Sequence, residues 1–227
     1  MKFTWLGQAG LLLEKENTSI LIDPYLSDII GQRDPARRRR LPIAAEYFDV
    51  CPDVMIFTHD HVDHYDPETA PRFLERADKP ITVLAPLAVW PKARACGGPH
   101  NYVQFNRHTE WTERGFRFLA VKAEHSDPHP IGVIIEDQAD GRRYYITGDT
   151  LYNNEIFGDI VGQIDFLFLP INGAGNNMNA LDAARFAARI NAKIAVPIHF
   201  GMYDDIDPSC FSYPSVIIPE PYKTIHL

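Results

Sequence analysis

Phe57-Thr58-His59-Asp60-His61-Val62-Asp63-His64 is the stretch from which the rest of the chain is read. It follows directly on Val54, Met55 and Ile56, and with Phe57 these form a short apolar run of the kind that makes a buried strand. Behind that run His59, His61, Asp63 and His64 crowd into residues 59–64. A strand delivers its last residue at a sheet edge, and the loop beyond it can turn imidazoles and a carboxylate toward one point. Neutral imidazole and carboxylate together suit zinc or a similar divalent ion. A solvated polar loop is the competing reading. Three histidines and an aspartate in this order are hard to assemble by chance when the whole chain of 227 residues has 9 histidines, so the metal reading is preferred.

Three more candidate ligands share the placement of the octet. His125 follows the apolar run 117–123, Asp149 follows 142–147, and His199 follows 194–198. Singly, each is an ordinary loop residue, because a histidine after a strand is usually satisfied locally and an aspartate after glycine usually makes a turn. Their joint placement at the ends of apolar runs, together with the octet, makes them candidates for one site at the edge of a packed sheet.

The remaining pattern is strand-rich at the start, with helices interleaved. Residues 2–6, 11–14 and 19–22 read as strands, separated by Gly7, Gly10 and the Glu16-Asn17-Thr18 turn. Residues 27–41, which end with Arg37, Arg38, Arg39 and Arg40, interrupt this pattern and read as a surface insertion. After the octet a helix is expected to start at Asp66 as N-cap with Pro67 in its first position, and Pro71 warns of irregularity. Residues 81–85 read as a strand and 88–95 as a short helix. Residues 132–136 and 142–147 form a hairpin around Asp140-Gly141, and 166–169 is a further apolar run. Residues 179–193 are the best helix, with Ala183, Phe186, Ala187 and Ile190 on one face and Asp182, Arg185 and Arg189 opposite. With no linker and no repeat, the reading is one domain over residues 1–227, of sheet layered with helices.

Composition narrows the function classes. The formal charge of -8 at pH 7 speaks against RNA or DNA as the main partner. Cys51, Cys96 and Cys210 are odd in number and never form a C-x-x-C pair, so a disulfide framework is not expected and a reducing compartment is. No apolar run approaches the roughly 20 residues that span a bilayer, and the first residues read as a strand, not a signal peptide. The expectation is a cytoplasmic protein acting on a small molecule, with no nucleic-acid and no membrane partner; monomer and homo-oligomer both remain open.

Here the residues reach a resemblance. His59-Asp60-His61-Val62-Asp63-His64 is similar to the H-x-H-x-D-H signature of the metallo-β-lactamase superfamily. His125, Gly148-Asp149-Thr150, Pro197-Ile198-His199 and the earlier Leu21-Ile22-Asp23-Pro24 resemble its other metal motifs, in order. The resemblance implies an α/β chain, an αββα sandwich holding two divalent ions, zinc first and manganese as the alternative. It assigns His59, His61 and His125 to one ion, Asp63, His64 and His199 to the other, and Asp149 to both. Asp23 would fix a ligand ring from behind. Asp63 would also be the catalytic residue, orienting a water whose proton is lost near neutral pH between two cations.

Within the superfamily, Trp5-Leu6-Gly7-Gln8-Ala9-Gly10, His125-Ser126-Asp127, Ile171-Asn172-Gly173, Asn177-Met178-Asn179 and the run 197–203 resemble the ascorbate-6-phosphate lactonase-like branch. The function implied is hydrolysis of a small cyclic ester or amide, in one version a phosphorylated sugar lactone. The alternatives are a phosphodiesterase or nuclease with the same site, and a metal-binding protein without turnover. Asn172 and Tyr203 are candidate substrate contacts, with turn formation and packing as their competing roles. The arginines 37–40 could grip a phosphate, but a solvated charge run is the simpler reading. His129 is a candidate for the site mouth; His100, His108 and His226 are expected to be satisfied or surface residues, and the cysteines small buried hydrophobes.

Overall fold

Two sheets, each with an antiparallel half and a parallel half, organise the chain. The structure is a computed structural model that describes residues 1–76 and 78–227. It divides into two compact units, one built from residues 1–104, 201–203 and 219–227, the other from 105–200 and 204–218.

The first unit holds β1 (Lys2–Trp5), β2 (Leu11–Lys15), β3 (Thr18–Ile22), β4 (Val54–Ile56), β5 (Thr82–Ala85), β6 (Asn101–Gln104) and, from the end of the chain, β13 (Thr224–His226). The sheet order is β13-β1-β2-β3-β4-β5-β6. Neighbours from β13 to β3 are antiparallel, and those from β3 to β6 are parallel. Ile20, Leu21 and Ile22 are buried in succession, as are Val54, Met55 and Ile56, which is the continuous apolar run of strands covered on both faces. Two short helices, α2 (Ala70–Leu74) and α3 (Trp90–Ala95), contribute Phe73, Leu74 and Ala93 to a core shared with Leu21, Met55, Phe57 and Val83. Burying Phe73 alone is worth about 2 kcal/mol on transfer scales. Register then positions the site. Trp5 pairs with Leu11, Leu11 with Ile22, and Ile22 with Ile56. The β1–β2 turn, the residues after β3 and the octet after β4 therefore leave the sheet at one edge.

The second unit holds β7 (Glu110–Glu113), β8 (Phe116–Lys122), β9 (Ile131–Asp137), β10 (Arg143–Ile146), β11 (Phe166–Pro170) and β12 (Ile194–Ile198), in sheet order β12-β11-β10-β9-β8-β7. Strands β7 to β10 form an antiparallel meander, and β10 to β12 run parallel. Lys122 pairs with Ile131, Ile146 with Val133, and Pro170 with Ile198, so the segments after β8, β10, β11 and β12 also share one edge. The helix α4 (Ala180–Ile190) is capped by Asn179, whose side chain accepts from the Asp182 amide at 2.9 Å, and it closes on Asn191 in the left-handed region. It buries Ala183, Phe186 and Ala187, the face expected from its periodicity.

Four details depart from the sequence reading. Strands β6, β7 and β13 were not legible, and each lies at or next to solvent as the last strand of its sheet, with Asn101, Gln104, Glu110 and Thr112 exposed. The first expected helix begins at Ala70 rather than behind Asp66, because the Asp66 side chain accepts from the Glu68 amide and the Thr69 hydroxyl and builds a turn instead. Pro71 then falls in the first turn, where its missing N–H costs nothing.

Residues 27–41 are only partly surface. They contain a helix, α1 (Ile29–Arg33), whose Ile29 and Gly31 are buried. A Cβ on Gly31 would stand 2.7 Å from the Arg38 Cα. Nor is the arginine run uniformly solvated, since Arg39 is buried. Its guanidinium donates to the carbonyls of Leu41, Tyr25 and Ser27 and to the Tyr222 hydroxyl, replacing its hydration shell with fixed acceptors. Arg37, Arg38 and Arg40 are exposed. All three cysteines are free thiols, and none is a buried hydrophobe as expected: Cys51 and Cys96 are half-buried and Cys210 is exposed. Among the described residues no helix is long and apolar enough to cross a membrane.

Candidate metal centre

The candidate ligands are His59, His61, Asp63 and His64 in the first unit, and His125, Asp149 and His199 in the second. Two donors bound tetrahedrally at about 2.1 Å from an ion stand about 3.4 Å apart, which sets the spacing to look for.

In the first unit the octet loop folds over Asp23. This carboxylate is fully buried and accepts from the Thr58 amide at 2.8 Å, the Thr58 hydroxyl at 2.5 Å and His64 Nδ1 at 2.8 Å. A carboxylate can only accept, so His64 carries its proton on Nδ1 and presents a lone pair on Nε2. The same reasoning reaches His59. The single Thr58 hydroxyl proton goes to Asp23, so the 3.1 Å contact between Thr58 Oγ1 and His59 Nδ1 needs the proton on the ring. His59 Nε2 is then the lone-pair nitrogen, and it lies 3.1 Å from His61 Nδ1. The ligand atoms of His59 and His61, of His59 and His64, and of Asp63 and His64 lie within 4.8 Å of each other. Asp63 is held by Gln8, whose Nε2 donates to Oδ2 at 2.7 Å. Asp60 points to α3, where Lys92 donates to both its oxygens at 2.8 and 2.6 Å.

In the second unit the candidate ligands come from separate strands, and hydrogen bonds lace the loops after β8, β10 and β11 together. Glu124 donates its amide to Thr150 Oγ1 at 2.9 Å, and Leu151 returns an amide to the Glu124 carbonyl at 2.8 Å. The Met178 amide donates to the Thr150 carbonyl at 3.0 Å. The loops carrying His125, Asp149 and Asn177 are thus one network. His125 Nδ1 donates to the Asn176 carbonyl at 3.2 Å, which leaves Nε2 as its lone-pair nitrogen, 3.8 Å from Asp149 Oδ2. His199 Nε2 lies 3.3 Å from that same oxygen. Asn177, itself buried, donates Nδ2 to Asp149 Oδ2 at 2.7 Å. His199 adopts φ 61°, a left-handed backbone that few non-glycine residues take outside functional turns.

The donor set therefore fits divalent ions: imidazoles of which His59, His64 and His125 have assigned tautomers, carboxylates held by side-chain amides, and spacings near the tetrahedral value. Sequence reasoning missed Gln8 and Thr58, and read Asn177 only as part of a loop near the site, without a partner. A non-glycine residue between Gly7 and Gly10 at a strand turn, and an Asn-Asn pair in a glycine-rich loop, were the available signals.

The other candidates fall elsewhere. Tyr203, in the first unit, donates its hydroxyl to Tyr25 Oη at 2.7 Å and lies 5.6 Å below the Arg37 guanidinium. Burial pushes its hydroxyl far above the ordinary phenol range, and the bond to Tyr25 and the neighbouring Asp63 charge push the same way. Asn172 bridges to Asn179 and reaches the Ala174 carbonyl at 3.4 Å, the geometry of a turn. His100 is satisfied, accepting from the Ile81 amide and donating to the Leu74 carbonyl. His108 pairs with Asp159. His129 is exposed.

Residues 18–200 match the model of the beta-lactamase superfamily domain. A UPF0173 protein of Pyrococcus furiosus is 30% identical over 216 residues, covering 93% of this chain and 89% of the relative. A UPF0173 metal-dependent hydrolase of Methanobrevibacter smithii is 28% identical over 234 residues, covering 93% and 87%. A solved structure of a metallo hydrolase from the hyperthermophilic archaeon Ignicoccus hospitalis, 20% identical, superposes with a TM-score of 0.79 over 99% of this chain and 97% of that one. Fold and motifs thus agree on one class, the metallo-β-lactamase superfamily. The chain belongs to it and, within it, to the UPF0173 metal-dependent hydrolase family.

Proposed function

We propose that this chain hydrolyses its substrate with two divalent ions, and that the ligand sets of its two units act as one centre. His59, His61 and His125 hold one ion, Asp63, His64 and His199 the other, and Asp149 serves both. Asp149 carries the reading, because its Oδ2 lies 3.3 Å from His199 Nε2 and 3.8 Å from His125 Nε2. One carboxylate oxygen is within ligand spacing of two imidazoles allotted to different ions. Zinc suits the set best, with manganese as the alternative. Bound ions supply Lewis acidity, lowering the pKa of water and polarising an electrophilic carbonyl or phosphoryl group.

The chain's own residues do the rest. Asp23 and Thr58 hold the His59 and His64 tautomers, so that neither ring must rearrange when a ligand arrives. Asp63, with one oxygen engaged by Gln8, is the acceptor for a proton from the attacking water. Burial of His59, His64, Asp149 and His199 limits bulk water around the charges, which strengthens every electrostatic contact there.

For the substrate, a small cyclic ester or amide is the favoured class, with a phosphorylated sugar lactone as its specific version. Besides the motif resemblance, the support is the exposed Arg37 guanidinium above Tyr203 in the unit that carries the octet, a fork suited to an anionic group. Purified, metal-loaded protein assayed against lactone and phosphodiester panels tests this. Turnover of lactones, faster for phosphorylated ones and slowed by Arg37→Ala, is expected; turnover of phosphodiesters alone rejects the lactone reading. A His61→Ala variant that loses metal yet keeps the biological role would point to a binding protein without turnover.

A further inference from the structure

Gln8 is the least expected side chain around the ligands, and the chain goes to some length to place it. It adopts φ 52°, a left-handed backbone that is unfavourable for a non-glycine residue. Yet its surroundings leave it no alternative. The turn is closed by the Leu6 amide donating to the Gly10 carbonyl at 2.8 Å and the Gly10 amide donating to the Gly7 carbonyl at 2.9 Å. Trp5 Nε1 donates to the Gln8 carbonyl at 2.9 Å, pinning the strained residue itself. Gly7, at φ 86°, lies so close to Met202 and Leu41 that an added Cβ would stand 2.9 Å from one and 3.1 Å from the other. The product of this construction is a buried amide whose Nε2 donates to Asp63 Oδ2 at 2.7 Å, from 55 residues away in sequence.

We infer that Gln8 is a positioning residue for the second metal ion, fixing Asp63 as a ligand that presents one oxygen while the amide holds the other. The inference rests on Asp63 ligating metal, as proposed above. Three features of the chemistry favour it over simple packing. A carboxylate can bind an ion through one oxygen or both, and an N–H held on Oδ2 fixes the plane of the group and lowers the electron density of that oxygen. A neutral amide does this without adding charge, where a lysine would compete with the cation and a glutamate would repel Asp63. Finally, a buried glutamine with only a packing role would need no particular anionic partner; this one is aimed at the single carboxylate of the octet that faces the ligands.

The test uses full-length protein, Zn2+ titration against a competing chromophoric chelator, and the absorption spectrum of the Co2+-substituted form. Gln8→Asn keeps the amide and tolerates the left-handed backbone better than other non-glycine residues, but it is too short to reach Asp63. Gln8→Glu keeps the length and loses the donor. Both are expected to bind one Zn2+ with unchanged affinity and the second about 10-fold or more weakly. The Co2+ spectrum of the second equivalent should shift, and kcat should fall more than KM rises, while the melting temperature of the metal-free protein stays within a few degrees. Asp63→Asn is the control. If it weakens the second ion while both Gln8 variants bind two ions normally with unaltered spectra, the positioning role is overturned and the ligand assignment stands. If Asp63→Asn itself binds two ions normally, both fall.

Discussion

The two units solve the same problem, holding imidazoles and a carboxylate at a sheet edge, by opposite means. The first takes four candidate ligands from one loop after one parallel strand, and a carboxylate beside the adjacent strand holds Thr58 and His64 of that loop: Asp23 follows β3, and the octet follows β4, its in-register neighbour. The second takes its candidate ligands singly from the ends of β8, β10 and β12, and hydrogen bonds centred on Thr150 tie the loops after β8, β10 and β11 together. Both sheets nevertheless follow one plan, an antiparallel meander continued by parallel strands, and in both the acidic residue follows the strand where the direction changes. The difference teaches where the control lies. In the first unit a buried side chain dictates tautomers; in the second the backbone and the Thr150 hydroxyl hold the loops, and Asn177 braces the carboxylate.

That contrast can be broken in graded steps. Asp149→Ala removes the one oxygen near both His125 and His199, and kcat/KM of the metal-loaded enzyme should fall by about 10^3-fold or more, measured under saturating metal. Asp23→Ala comes next. It leaves the Thr58 amide and hydroxyl and His64 Nδ1 without their acceptor, so metal affinity should drop about 100-fold. Stability should also drop, by about 3 kcal/mol, on a denaturant curve. Asn177→Ala, in the unit governed by backbone, should weaken metal binding only about 10-fold with little loss of stability; an effect as large as that of Asp23→Ala would erase the distinction drawn here.

The smallest expected effect lies outside the site. Burial pushes the Asp159 carboxyl up, but hydrogen bonds from Arg107, His108 and the Lys122 amide outweigh it and hold the group well below the usual carboxylate range. A carboxyl depressed in the folded state stabilises above its unfolded pKa of about 3.9 and stops doing so as pH falls through the folded value. Asp159→Asn should therefore cost about 2 kcal/mol at pH 7, and the gap to wild type should close as pH falls below about 4. Equal destabilisation at pH 7 and pH 3 would contradict this.

What could be read from the sequence followed the same division. The octet is local, so its meaning survives in a string of letters. His125, Asp149 and His199 are spread over 125–199, and their signal is weaker: each ends an apolar run, and their short motifs gain meaning only in order with the octet. The edge strands β6, β7 and β13 escaped because polar, half-exposed residues leave no alternation to detect. Arg39 looked like its exposed neighbours, since nothing in a run of four arginines tells which one the fold will bury. Gln8 escaped as a site residue, and Asn177 was legible only as part of a glycine-rich loop near the site, for a related reason: a neutral amide acquires a role only when a partner 55 or 28 residues away is brought to it.

Anomalous scattering from crystals grown with zinc tests the central claim most directly. Two peaks are predicted, one ringed by His59, His61 and His125 and the other by Asp63, His64 and His199, with Asp149 touching both. A single peak, or two peaks of which neither draws ligands from both units, would contradict it.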